Sequence, residues 1–168
     1  EVEDVDVGQM QIIEGHSTGV AFVAYTADGG REFVFHMRHA AAGALAADRL
    51  DPAYFAQVRW LHISGSALTL NPSIRAACQR ALELTLETGG MLSFDPNLRP
   101  ELMGVEEARR VMAPYIEAAS LLLPTVEEAH ALTGTADDDK AAQALMTGRD
   151  CVVALKRGAA GCSLFSVE

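Results

Sequence analysis

A carboxylate, a carboxamide and a guanidinium come together in one short stretch, Ser93-Phe94-Asp95-Pro96-Asn97-Leu98-Arg99-Pro100. Presented on a rigid loop, those groups suit a polyol or an anionic ligand. The rigidity comes from the two prolines, which lock φ, remove backbone donors and push the residue before each toward extended geometry. A short apolar run, Met91 to Phe94, leads into the loop. If that run is a parallel strand, the loop sits at its carboxyl end, where open α/β sheets bind ligands. The plainer reading of the same residues is a proline-punctuated turn with an exposed arginine.

The background is that of an ordinary globular domain. Of 168 residues, 49% are hydrophobic and 21% charged, enough for one sizeable core. Formal net charge is −10 with no cluster of Lys and Arg, which removes the electrostatic case for nucleic acid. A small anion remains an acceptable ligand, because local groups rather than net charge decide that. No apolar run approaches the roughly 20 residues of a membrane span, and no basic, then apolar leader opens the sequence. Cys78, Cys151 and Cys162 lie far apart among apolar residues, the pattern of reduced core thiols in a cytoplasmic protein. The expectation is a cytoplasmic chain that binds neither nucleic acid nor membrane.

The elements that must position the loop follow from periodicity. Residues 1 to 16 are acidic at the start, and Val5, Val7, Ile12 and Ile13 could pair with a neighbouring strand. Residues 19 to 38 predict a β-hairpin, with Asp28-Gly29-Gly30 as its turn. In its second strand Phe33, Phe35 and Met37 share one face, while Val34, His36 and Arg38 share the other. An imidazole and a guanidinium on that second face are candidate ligand contacts, or simply a solvated surface. The run from His39 to Leu45 has the small residues of a tight approach or hinge.

From Asp51 the pattern becomes β–α alternation. Asp51-Pro52 and Asn71-Pro72 are helix-start signals, Val58 to Ile63 predicts a strand ending at Ser64-Gly65-Ser66, and Gly89-Gly90 predicts a helix stop. After the strand at Met91 come a helix through Val105 to Ile116, a brief strand at Leu121 to Leu123, and a helix capped by Thr125. A further helix passes through Ala141 to Leu145, and strands lie at Cys151 to Leu155 and Gly161 to Val167. Asp137 to Asp139 are explained as acidic residues at a helix start. The whole predicts an α/β, αβα three-layer sandwich with a mostly parallel sheet covered on both sides and right-handed crossovers. The spacing of Leu155 and Cys162 leaves no room for a crossover, so the last strand is expected to be antiparallel. The hairpin at 17–40 is the one subdomain.

Three segments in this order carry a resemblance: Ser93 to Arg99, Leu122-Leu123-Pro124-Thr125-Val126-Glu127-Glu128-Ala129, and Val153-Ala154-Leu155-Lys156-Arg157-Gly158-Ala159-Ala160-Gly161-Cys162. With Leu61-His62-Ile63-Ser64-Gly65 and the hairpin, they resemble the middle of a ribokinase-like (PfkB) carbohydrate kinase, nearest the 2-keto-3-deoxygluconate kinase branch. The resemblance implies a β-hairpin lid on the sandwich and transfer of the ATP γ-phosphoryl group to a sugar or sugar-acid hydroxyl. The sugar would be 2-keto-3-deoxygluconate-like, fructose-like or tagatose-like. It implies that Arg99, with His36 and Arg38, contacts the sugar acid or the transferred phosphate, for which a guanidinium is the natural partner. It places Lys156, Gly158, Gly161 and Thr125 against ATP, and gives Glu128 a part in holding Mg2+ through water and phosphate. A homodimer through the lid is a further partner it suggests.

Two departures accompany the resemblance. Thr125 stands where the family's Asn-x-x-Glu element has Asn, and Thr125 with Glu128 three residues on is also an ordinary helix capping box. The family's catalytic base is an Asp in a Gly-Ala-Gly-Asp element at a helix N-terminus. This sequence has none, and the expectation is that it lies beyond Glu168, with the family's N-terminal segment likewise missing. Asp95 is not its substitute. The alternative function is a non-catalytic fragment or a sugar- or nucleotide-binding module; a dehydrogenase fails for want of GxGxxG after a first strand.

Overall fold

The computed structural model describes residues 4–27, 30–37, 39–147 and 150–166. The chain divides into two compact units, Glu1–Leu45 and Ala46–Glu168.

In the first unit β1 (Val20–Tyr25) pairs antiparallel with β2 (Arg31–His36). Of the expected turn, Asp28 and Gly29 lie outside the described residues, as does Arg38. No strand forms among the described residues before Val20, and Ile12 is 91% exposed. Phe33 and Phe35 on β2, with Met37 just beyond its end, are the half-buried set, as their alternation predicts. The opposite face is more apolar than β2 alone indicates. Register places Phe22 across from Val34 and Val20 across from His36, and the Phe22 and His36 rings meet edge to face at 6.0 Å. The small residues after the hairpin form a 3-10 turn, Ala41–Ala44.

The second unit is built by local signals that read directly. Pro52 and Pro72 begin α1 (Pro52–Phe55) and α2 (Pro72–Glu87). The preceding side chains accept from the first free amides, Asp51 from Ala53 N at 2.9 Å and Asn71 from Ile74 N at 3.0 Å. Between them runs β3 (Trp60–Ser64). Then follow β4 (Met91–Asp95), α3 (Val105–Ala118), β5 (Ala119–Leu122), α4 (Val126–Thr133), α5 (Asp138–Leu145), β6 (Val152–Lys156) and β7 (Cys162–Phe165). The sheet order is β3-β4-β5-β6-β7, parallel except for β7, which runs antiparallel to β6 as expected.

Because consecutive strands are neighbours and successive crossovers share one hand, the connecting helices fall on one face. Alternate side chains, Ile63, Leu92, Phe94, Leu122, Val153 and Leu155, join one core with Leu82, Met112, Ala129 and Leu145 from those helices. Phe94 stacks on Tyr115 with ring centroids 5.5 Å apart. An irregularity in register between Leu92 and Ser93 lets both Ala119 and Leu122 turn inward, so β5 starts earlier than its apolar run suggests. The intervening positions belong to the other face, where Trp60 is 48% and Leu164 74% exposed. In this chain the second face therefore carries no helix among the described residues.

The cysteines divide. Burial pushes the Cys78 and Cys151 thiols up and keeps them neutral, in keeping with core positions. Cys162 departs from that expectation: it is exposed, because β7 is an edge strand whose outward positions are Cys162 and Leu164.

Candidate functional site

All four parallel strands release the chain at the same edge, and polar side chains converge there. Parallel register sets Ser64 at the end of β3 beside Asp95 at the end of β4. Asn97 follows in a left-handed conformation at φ 40°, held by its own side chain, whose Nδ2 donates to Ser64 Oγ at 2.9 Å and Ser66 Oγ at 3.3 Å. Asp95 Oδ1 accepts from Asn97 N at 3.1 Å. Its Oδ2 accepts from Lys156 Nζ at 2.8 Å, reaching from the end of β6 across the end of β5. Asp95 is thus committed to fixing the loop and Lys156.

A second anchor comes from α4. Thr125 and Glu128 form the full capping box: Thr125 Oγ1 accepts from Glu128 N at 3.2 Å, and Glu128 Oε2 accepts from Thr125 N at 2.8 Å. Glu128 Oε1 accepts from Leu98 N at 2.8 Å. One carboxylate therefore closes a helix and clamps the Asp95–Arg99 loop against it. Arg99 follows the clamped amide, half-buried, with Nη1 donating to Leu98 O at 2.9 Å. Glu128→Gln is accordingly expected to destabilise the protein more than Thr125→Ala does in urea melts. The cap alone is worth about 1 kcal/mol. An amide at Glu128 turns a donor toward one of two backbone N–H groups and leaves it unsatisfied, at roughly 1–3 kcal/mol. Equal losses would mean the loop contact contributes nothing.

Lys156 N donates to Pro124 O at 2.8 Å, which brings the β6 end alongside Thr125. Beyond it the chain turns tightly through Gly158–Ala160 to Gly161, whose φ of 92° and ψ of −136° are open to glycine alone. The acidic run divides its work: Asp137 caps α5, accepting from Lys140 N at 2.9 Å, while Asp138 pairs with Arg157 and lies 2.9 Å from His130 Nε2. The Arg157 guanidinium bonded to Asp138 holds that carboxyl below the usual range. That contribution is present at neutral pH and is lost as pH falls through the lowered value.

Of the residues singled out from sequence, Arg99, Thr125, Glu128, Lys156, Gly158 and Gly161 all lie at this edge, in its loops, in the first turn of α4 or at the last residue of β6. His36 lies in the other unit, exposed, bordering with Ser17, Met37 and His39 a cavity of about 290 Å3. Arg38 lies outside the described residues. Sequence reasoning did not find the roles of Ser64, Ser66, Arg157 and Asp138. The Ser-Gly-Ser strand end was the only local signal among them. A larger cavity of about 460 Å3 sits at the far ends of α3 and α5, lined by Arg109, Ile116, Glu117, Leu132 and Thr147, away from these loops.

For a divalent cation the donor set is sparse. Among the described residues no group of three or more His, Cys, Asp and Glu side chains could hold a metal. Each Glu128 oxygen already accepts an amide. A cation at this edge would therefore take most of its ligands from a bound molecule or water rather than from these side chains. Among the described residues no helix is long and apolar enough to cross a membrane.

The mostly parallel five-stranded α/β sheet superposes on solved ribokinase and fructokinase structures, such as a putative ribokinase II of E. coli with a TM-score of 0.79 at 28% identity over 91% of this chain and 49% of that one, which puts the fold in the ribokinase-like class. A model of the pfkB family carbohydrate kinases matches residues 1–168, and the chain belongs to that family. It is 36% identical to fructokinase-1 of Zea mays over 138 residues, covering 80% of this chain and 42% of that protein. With fructokinase-2 of Solanum lycopersicum it shares 31% over 155 residues, covering 91% and 47%. Among solved structures, the fructokinase of Vibrio cholerae O395 in its fructose, ADP and calcium ion bound form superposes with a TM-score of 0.82 at 28% identity. That match covers 98% of this chain and 53% of that one. The chain spans about half the length of the curated relatives it matches.

Proposed function

We propose that the protein transfers the γ-phosphoryl group of ATP to a hydroxyl of a ketose, with fructose the first candidate and a sugar acid such as 2-keto-3-deoxygluconate the second. The observation that carries this is the doubly anchored Asp95–Arg99 loop at the strand ends, in a chain whose named relatives are fructokinases. Phosphoryl transfer asks mainly for positioning and charge neutralisation, and this loop is built to position. In this reading Arg99 contacts the sugar or the transferred phosphate, and His36 and Arg38 remain the further candidates for sugar binding that the sequence names. Lys156, Gly158, Gly161 and Thr125 face the nucleotide. Lys156 exchanges part of its pairing with Asp95 for phosphate. Glu128 would be the residue to hold a Mg2+ ion bound with ATP, which would supply neutralisation of phosphate charge. Asp95 is assigned the anchoring of the loop and of Lys156, and no proton-transfer role is given to it.

A homodimer through the hairpin belongs to the same proposal: Val20, Phe22 and Val34 leave an apolar face 45–60% exposed, which a second copy would cover. The test is a screen of sugars and sugar acids with the intact protein, ATP and Mg2+. Phosphorylation of fructose is the expected result. Preference for the keto acid selects the second candidate. Binding without turnover supports the binding-module alternative, and neither binding nor turnover overturns both.

A further inference from the structure

The turn between β6 and β7 has little of its own to hold it in place. Residues 158 to 161 are all exposed and carry no side chain larger than methyl. Three backbone bonds close the turn internally: Arg157 N to Gly161 O at 2.8 Å, Ala160 N to Arg157 O and Gly161 N to Gly158 O, both at 3.1 Å. None of these ties it to the helices. Arg157 does. Its Nε donates to Ser163 Oγ at 2.8 Å on the far side of the turn, its Nη1 donates to Asp138 Oδ2, and its Nη2 lies 3.5 Å from Asp139 Oδ1. Asp138 Oδ1 in turn meets His130 Nε2 of α4. One planar fork thus joins the turn's two stems to the start of α5 and, through Asp138, to α4. A guanidinium fixes direction as well as distance in such a contact. Asp138 is spare for this purpose, because Asp137 already caps the helix.

We propose that Asp138 is a positioning residue for nucleotide binding, acting through Arg157 to hold the Gly158–Gly161 turn in the arrangement that receives ATP. This rests on the reading above that the turn faces the nucleotide. Without the tether the turn keeps its internal bonds and the β6–β7 ladder but loses its fixed direction relative to α4 and α5, and the ordering cost falls on the ligand.

The test uses the intact protein with Asp138→Asn and Arg157→Lys. It measures affinity for a non-hydrolysable ATP analogue with Mg2+, affinity for the sugar, and amide exchange at residues 158 to 161. Each variant is expected to weaken the analogue at least fivefold, to leave sugar affinity within twofold, and to speed exchange in the turn. Asp138→Glu should recover part of the analogue affinity. General loss of structure would weaken both ligands alike, so a selective loss separates positioning from stability. Analogue affinity within twofold of wild type in both variants overturns the proposal, as does equal weakening of sugar and analogue. If the wild-type turn gains no exchange protection from the analogue, the nucleotide-facing reading itself fails; protection in wild type with unchanged variants fails the tether alone.

Discussion

Gly65→Ala is expected to lower the melting temperature by several degrees and to loosen the Asp95–Arg99 loop, although it adds a single methyl group. A Cβ at Gly65 would stand 2.2 Å from the Pro96 carbonyl oxygen and 2.7 Å from Met112 Cε. Met112 can adjust its flexible end. The Pro96 carbonyl cannot move alone, since Pro96 is fully buried with φ locked by its ring. The loop must therefore shift as a unit, against the Lys156–Asp95 and Glu128–Leu98 contacts. Overpacking of this kind costs about 1–3 kcal/mol, which for a chain of this size is roughly 2–12 °C. Thermal melts and amide exchange at Leu98 check it. An unchanged melt with Leu98 still protected would mean that β3 and the loop are not in the close contact described. On the proposed function, sugar turnover should fall together with stability, because the same loop carries Arg99.

On the same proposed function, Arg99→Ala should act oppositely, leaving stability nearly intact while lowering kcat/KM for the sugar by more than tenfold. Its side chain is half-buried, and its position is fixed from both sides. Before it, Leu98 N is held by Glu128; after it, Arg99 O accepts from Leu102 N at 2.9 Å and Met103 N at 3.0 Å. A cation so held is pre-organised for an anion or a polyol. A charge-assisted contact is worth about 1.5–3 kcal/mol, more than a decade in rate. Steady-state kinetics of the intact protein decide it, and wild-type values in the variant would remove Arg99 from the proposed site. Read together, the two variants separate a loop that is misplaced from a loop that lacks its charge.

Much of this protein is legible without coordinates because its signals are local. The caps at Asp51, Asn71, Thr125 and Asp137 need only a side chain within three residues of an open amide, so sequence spacing determines them. Apolar runs and helical spacing likewise determine the alternation of strand and helix, and the short Leu155–Cys162 connection determines an antiparallel last strand. The loop at Ser93 to Arg99 announces itself by composition.

Tertiary structure alone decides how those pieces serve each other. Asp95 and Lys156 are 61 positions apart and meet only because β4 and β6 flank β5 in one parallel sheet. Glu128 reads as a cap, and a cap it is; that its other oxygen holds Leu98 follows from β4 and β5 releasing their chains side by side. Asp138 reads as one more acid at a helix start until β6 places Arg157 against it. The same limit applies to faces. Period-two alternation says which residues of β2 travel together, but cross-strand register brings Phe22 beside His36. An edge position exposes Cys162, whose neighbours in sequence suggest a core. Sequence by itself determined the elements, their order and the loop most suited to chemistry, because those depend on bonds a few residues long. Which charges are spent in anchoring that loop depends on strand neighbours, and only the folded sheet makes those.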